Sequence, residues 1–113
     1  MKNVKNKNIQ NSIQKITDTI IKNYQPEKII LFGSVVAGEM RKDSDLDFVL
    51  IKETKKRFYD RIGEALKIVR SITPKPPIDF LVYTPYEFEE MTTNNYFVRN
   101  EITKKGKVLY ERK

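Results

Sequence analysis

The chain of 113 residues has 39% hydrophobic and 33% charged residues, a balance typical of a folded globular protein rather than a disordered one. It contains no cysteine and no histidine, which excludes disulfides, thiolate zinc sites and histidine-based triads, so any chemistry must use carboxylates, hydroxyls, cations and bound ions. The formal net charge of +7 fits either a patch for a nucleotide, nucleic acid or acidic protein, or ordinary solvated helix faces.

The first half of the chain predicts a helix followed by two strands. Isoleucines recur at helical spacing over residues 8–24, and Pro26 ends this helix. A short buried strand is expected at 28–32. The stretch SVVAG then indicates a brief helical turn closed by Gly38, and a second strand follows at about 45–52.

The next elements predict a helix, a strand and a capped helix start. An apolar stripe at helical spacing covers 56–71, and a Pro-rich connection leads into a third strand at 78–83. Thr84 at the N-cap, Pro85 at the first helical position and Glu87 two residues later form a capping box. A helix should therefore begin at residue 85.

The C-terminal part predicts two short helices and a last strand. The first helix covers 85–91, and the second begins near Asn94 or Asn95 and ends at Gly106. The stretch KVLYE then forms a fourth strand. The element order α-β-turn-β-α-β-α-α-β predicts a mixed α/β (α+β) fold, in one domain over residues 1–113.

The sequence gives no sign of a membrane segment. Its apolar runs are far shorter than the roughly 20 residues that span a bilayer, and the basic N-terminus lacks the apolar segment of a secretory signal. We therefore expect a cytoplasmic protein. No basic cluster contains the interleaved aromatic residues of a single-strand binding platform, so direct nucleic-acid binding is not expected.

Three aspartates lie in strands that should be internal. Asp45 and Asp47 share one face of the second strand, whereas Leu46 and Phe48 point to the buried face. Asp79 lies within the third strand between two apolar residues. Close carboxylates are unfavourable unless a cation neutralises them, and oxygen-only ligands suit magnesium, manganese or calcium. The pattern predicts a divalent metal site.

Two familiar ion and phosphate loops do not fit this stretch. Asp43, Asp45 and Asp47 match positions 1, 3 and 5 of an EF-hand loop, but Phe48 stands where glycine is required and Thr54 where glutamate is required. A Walker-type phosphate loop is absent from the sequence as well. Asp43 is therefore interpreted as a turn residue outside the site.

The Gly33-Ser34 pair supplies a candidate phosphate-binding turn. It ends the first strand and begins a helical turn whose backbone N–H groups can hold a phosphate, and the serine hydroxyl adds a donor. Taken alone, this pair fits an ordinary turn, and Asp45-x-Asp47 alone fits a solvated strand start. Their combination with Asp79 indicates a site for a metal-bound triphosphate.

At these residues the chain resembles the polymerase-beta-like nucleotidyltransferases. Gly33-Ser34, ten further residues and Asp45-x-Asp47 match the G-S-x10-D-x-D signature of that superfamily. The stretches SDLDFVLI, IDFLVYTPYEF and GKVLYE are similar to its minimal nucleotidyltransferase (MNT) branch, so the resemblance covers nearly the whole chain. It implies the polymerase-beta-like fold, a small mixed sheet flanked by helices.

The resemblance also implies roles for the site residues. Gly33 and Ser34 would hold the β- and γ-phosphates of ATP. Asp45 and Asp47 would bind two Mg²⁺ ions, in agreement with two-metal reasoning. Asp79 would bind the catalytic ion and help to deprotonate the acceptor hydroxyl. The attacking hydroxyl would then take AMP from ATP, with pyrophosphate as the leaving group.

Members of this branch are commonly antitoxins that transfer AMP to a tyrosine of a HEPN ribonuclease toxin. The resemblance thus implies a HEPN-type toxin as partner besides the nucleoside triphosphate, and a homo- or hetero-oligomer is compatible with it. The chain departs from many relatives at Val35 and Ala37, where they carry arginines that help to hold the triphosphate. Arg41 or Lys42 could substitute for those cations.

Two other functions stay open at the level of sequence. The protein could be a binding module that neutralises its partner by occlusion, with a vestigial nucleotide site, as the missing arginines permit. It could also act on RNA ends or on small molecules such as aminoglycosides. Enzymes of that kind generally add an acceptor domain, for which this chain offers no residues, so this third hypothesis ranks lowest.

Overall fold

The computed structural model describes residues 7–39 and 44–113. The predicted order of helices and strands is found in these ranges. Along the chain the elements are α1 (Lys7–Tyr24), β1 (Lys28–Phe32), α2 (Ser34–Ala37), β2 (Leu46–Ile51), α3 (Phe58–Val69), β3 (Ile78–Tyr83), α4 (Pro85–Asn94), a π-helix (Val98–Lys104) and β4 (Lys107–Glu111). The predicted supporting cations Arg41 and Lys42 and the predicted turn residue Asp43 lie outside the described residues.

The four strands form a mixed sheet, which confirms the predicted fold class. β1 pairs antiparallel with β2 and with β4, whereas β2 and β3 run parallel, so the strand order is β3-β2-β1-β4. Parallel strands need a crossover connection, and α3 provides it. In this register Phe32 lies opposite Asp47, and Asp47 lies beside Asp79. The end of β1 and the starts of β2 and β3 therefore meet at one end of the sheet.

One face of the sheet carries the larger apolar core. α1 and α3 cover this face, and Ile13, Ile16 and Ile20 of α1 are fully buried. They belong to the same cluster as alternate strand residues such as Leu46 and Phe48. Burial of each side chain of this size contributes roughly 1.5–3 kcal/mol. This face is therefore the main source of stability.

The opposite face is covered by α4 and the π-helix and has a smaller core. Val98 and Ile102 of the π-helix pack with Val49 of β2 in this core. Because side chains alternate along a strand, Asp47 and Asp79 point to this same face. Asp47 is partly buried and Asp79 is exposed. The smaller core therefore leaves the acidic end of the sheet accessible.

Arg61 of α3 links this helix to β3 and to the start of α4. Its guanidinium donates to the Lys56 carbonyl at 2.8 Å, to the Val82 carbonyl at 3.2 Å and to both carboxylate oxygens of Glu87 at 2.6 and 3.3 Å. Glu87 also closes the predicted capping box, accepting from the Thr84 N–H at 2.8 Å. The hydrogen bond from Arg61 is the main reason that the pKa of Glu87 is lowered. This network fixes the direction in which α4 leaves β3.

The C-terminal helices differ from the sequence prediction. The first of them continues to Asn94 rather than residue 91, and the Asn95 N–H still donates to the Met91 carbonyl at 2.8 Å. The second begins with helical residues at 96 and 97, close to the predicted start at Asn94 or Asn95, but continues as a π-helix over Val98–Lys104 rather than as an ordinary helix. Within residues 7–39 and 44–113, none of the helices has the length and apolar character needed to cross a bilayer.

Candidate active site

The chain turns sharply at Gly33, directly beside Asp47. Gly33 has φ of 83° and ψ of −155°, a conformation that residues with a side chain rarely adopt. A Cβ atom at this position would overlap the Oδ2 atom of Asp47. Glycine is therefore needed both for the backbone conformation and for the close approach of the turn to the carboxylate.

The predicted helical turn after Gly33 is present as α2. The Gly33 carbonyl accepts hydrogen bonds from the N–H groups of Val36 and Ala37, both at 3.2 Å. Gly38 ends the turn in the left-handed conformation, with φ of 77°. The N–H groups at the start of a helical turn have no acceptor within it, so the turn presents donors next to Ser34.

The fold brings together the three aspartates that the sequence singled out. Burial, followed by the negative charges of Asp79 and Asp45, raises the pKa of Asp47 to about 6. The pKa of Asp79 is also raised, first by desolvation and then by a hydrogen bond with Asp45 and by the charge of that residue. The charge of Asp45 thus hinders the ionisation of Asp47 and Asp79, and the charge of Asp79 hinders that of Asp47.

The chemistry of these carboxylates fits a divalent cation. Among the residues that the structure describes, no three acidic side chains are grouped tightly enough to form a ready-made metal cluster. The mutual repulsion at Asp47 and Asp79 is nevertheless what a bound cation relieves, and carboxylate oxygens are the ligands that Mg²⁺ and Mn²⁺ prefer. The donor set therefore fits a hard divalent ion by charge and by ligand type.

Val35 and Ala37, where the resemblance leads us to expect arginine, have different surroundings. Val35 is only 2% exposed and belongs to the larger core, whereas Ala37 is exposed. Position 35 therefore contributes packing of α2 against the sheet in this chain. Neither residue supplies a cation for a triphosphate.

Phe32 and Phe97 form an aromatic corner that borders this end of the sheet and was not predicted from the sequence. Phe97 packs edge-on against Phe32, with ring centroids 6.0 Å apart. Phe32 pairs with Asp47 and is directly followed by Gly33, so the corner lies next to the carboxylates and the turn. The adjacent pair Tyr-Phe within the polar stretch TTNNYFVRN is the signal that could have drawn attention to it.

A backbone turn beside clustered carboxylates at a sheet end is an arrangement suited to the transfer of nucleotidyl groups. The sequence model of the family "Polymerase beta, Nucleotidyltransferase" matches residues 14–113. The chain therefore belongs to the polymerase beta nucleotidyltransferase family, and nucleotidyl transfer is its general type of reaction.

The fold also has a relative among solved structures. A protein from Sulfolobus solfataricus, itself only inferred to be a nucleotidyltransferase, superimposes with a TM-score of 0.64. The match covers 93% of this chain and 82% of the other, at 15% sequence identity, so it supports the fold alone. No functionally curated protein matches the chain significantly.

Proposed function

We propose that the protein is a magnesium-dependent adenylyltransferase that transfers AMP from ATP to a tyrosine hydroxyl of a HEPN-type ribonuclease toxin, and so acts as an antitoxin. The observation that carries this proposal is the meeting of Asp45, Asp47 and Asp79 beside the Gly33 turn. The general reaction follows from the family, and the toxin target comes from the resemblance to the minimal nucleotidyltransferase branch.

In this proposal Asp45, Asp47 and Asp79 hold two Mg²⁺ ions. When bound, such ions neutralise phosphate charge and stabilise the attacking and leaving oxygens of an in-line displacement. The Gly33 turn lets the chain approach the triphosphate closely, because no side chain intervenes. The Ser34 hydroxyl and the first N–H groups of α2 donate hydrogen bonds to its β- and γ-phosphates.

The chain's own residues also account for the proton in the transfer. Asp79 is exposed, so its carboxylate can be reached by the hydroxyl of an incoming acceptor. It accepts the proton of the acceptor hydroxyl as that oxygen bonds to the α-phosphorus. The bond from the α-phosphorus to the bridging oxygen breaks, and pyrophosphate leaves.

A labelling experiment tests this function. The protein is incubated with ATP labelled at the α-phosphate, Mg²⁺ and the toxin encoded beside it, and the toxin should become labelled. The double variant Asp45→Asn/Asp47→Asn should lose the labelling. Asp18→Asn, which changes an exposed aspartate on α1, is the matched control and should label normally. Labelling that persists in the double variant would refute the roles given to these aspartates.

Occlusion of the partner without catalysis is the second candidate function. Val35 and Ala37 favour it, because neither provides the cation that would stabilise the transferred phosphate. In that case the double aspartate variant should still neutralise the toxin, and wild-type protein should produce no labelled toxin. Loss of neutralisation in the double variant, together with loss of label, excludes occlusion as the sole mechanism.

A further inference from the structure

We propose that Phe97, supported by Phe32, forms the surface on which the base of the nucleotide substrate stacks. This inference rests on the proposed function, because it names the substrate group that the aromatic corner binds. The sequence contains no motif for base recognition, whereas the structure places an exposed aromatic ring at the acidic end of the sheet.

The chain path explains why Phe97 lies there. β3 runs away from the acidic end, and α4 begins directly after it at Pro85. α4 packs back over β3, and Phe97, the N-cap residue of the π-helix that follows, packs on Phe32. Phe32 is the last residue of β1 and is paired directly with Asp47. Phe32 is therefore adjacent both to Asp47 and to Phe97, and it connects the aromatic ring to the acidic end of the sheet.

The corner is held in place by its own hydrogen bonds. The Asn95 Oδ1 atom accepts from the Val98 N–H at 3.1 Å, and Arg99 donates to the Thr93 carbonyl at 3.0 Å. Thr92 and Thr103 link α4 to the π-helix at 3.2 Å. A preorganised ring loses little conformational entropy when a ligand stacks on it.

Phe97 is far more exposed than the aromatic residue against which it packs. Its residue exposure is 48%, while Phe32 behind it is 8% exposed. The edge-to-face contact with Phe32 covers only part of the Phe97 ring, so the rest of its surface is available to a ligand. Aromatic side chains on which bases stack contribute to nucleotide binding regardless of the base identity. Phe97 directly precedes the π-helix, a rare conformation that is found frequently at functional sites.

Binding measurements with two ligands separate the base from the phosphates. One ligand is α,β-methylene ATP, which cannot transfer its AMP, and the other is tripolyphosphate, both with Mg²⁺ in a calorimeter. Phe97→Ala should weaken binding of the ATP analogue roughly tenfold, within the range known for stacking of one base. Binding of tripolyphosphate should not change. Phe97→Trp should bind the analogue at least as well as wild type.

Two further variants control for packing and position. Phe97→Leu keeps apolar contact with Phe32 but removes the aromatic surface, so it should retain the melting temperature and yet bind the analogue as weakly as Phe97→Ala. Tyr86→Ala removes an aromatic side chain of 72% exposure at the opposite end of α4 and should bind both ligands normally.

The outcomes distinguish this inference from the proposed function. Unchanged analogue binding in both Phe97→Ala and Phe97→Leu overturns the stacking, even if transfer is lost, because the ring would then contact the acceptor. Equal weakening of both ligands in a stably folded Phe97→Leu also overturns it. If the Phe97 variants bind both ligands as predicted but the toxin is not labelled, the proposed function alone is refuted. A wild-type protein that binds neither ligand refutes both.

Discussion

The two faces of the central sheet use neighbouring residues for opposite purposes. Along β2, Phe48 is buried against α1 and α3, whereas Asp47 points to the face where α4 and the π-helix leave the sheet end open. The first face gains stability from apolar burial. The second face holds carboxylates close together, and the repulsion between their charges opposes folding. Stability and chemistry can therefore be altered separately by substitutions one residue apart.

The largest expected effect is on the covered face. Phe48→Ala removes a side chain that is 1% exposed and packs on Phe80 with ring centroids 5.6 Å apart. Loss of such a buried aromatic residue should lower the free energy of unfolding by about 3–5 kcal/mol. Urea denaturation measures it. Phe88→Ala, in the half-buried margin of the smaller core, should cost clearly less, and equal losses would contradict the difference between the faces.

An intermediate effect is expected at the turn. Gly33→Ala forces a side chain into a strained conformation and against Asp47, and should lower the free energy of unfolding by roughly 2 kcal/mol. It should also abolish binding of Mg²⁺ and ATP. Gly38→Ala faces a left-handed conformation too, but its Cβ meets open space, so about 1 kcal/mol should be lost.

Calorimetric titration of both glycine variants measures the difference in binding. Gly38→Ala should bind Mg²⁺ and ATP as wild type does. Normal binding by Gly33→Ala would show that the close approach of this turn to Asp47 has no part in the site.

The smallest effect concerns stability at the acidic end. The pKa of Asp47 is about 6 in the folded protein against an ordinary value of 3.8, so the folded state binds more protons between these values. The carboxyl therefore favours folding at low pH, and this contribution is lost as the pH rises through about 6. Because Asp47 is only partly buried, the penalty at pH 7.5 is roughly 1 kcal/mol.

Asp47→Asn should remove that penalty. Without metal, its free energy of unfolding at pH 7.5 should exceed that of wild type by roughly 1 kcal/mol, and the difference should vanish near pH 4. Urea denaturation at the two pH values measures this, with Asp18→Asn as the control for loss of one surface charge. A variant less stable than wild type at pH 7.5 would contradict the repulsion among the site carboxylates.

The strands, the capping box and the aspartate positions could be predicted because local chemistry determines them. Short apolar runs predicted β2 and β3, and Thr84 with Glu87 predicted the start of α4. Because successive side chains of a strand point to opposite faces, Asp47 could be placed on the face opposite Phe48. These features depend on residues close together in the chain.

The features that the sequence missed depend on residues far apart. Nothing local distinguishes a π-helix from an ordinary helix over 98–104, and the apolar spacing suits both. The contact of Phe97 with Phe32 requires α4 to return to the end of the sheet where β1 stops. The burial of Val35 likewise follows from the packing of α2 on the sheet. The carboxylates of the site could therefore be predicted from the sequence, whereas the residues that surround them depend on tertiary contacts.

The most direct test of nucleotidyl transfer at the acidic end is the stoichiometry of the reaction with the toxin. Incorporation of labelled AMP and release of pyrophosphate are measured together, with and without Mg²⁺. We predict equal amounts of both products, dependence on Mg²⁺, and loss of both in Asp45→Asn/Asp47→Asn. Incorporation that continues unchanged in that variant would contradict the assignment of catalysis to these aspartates.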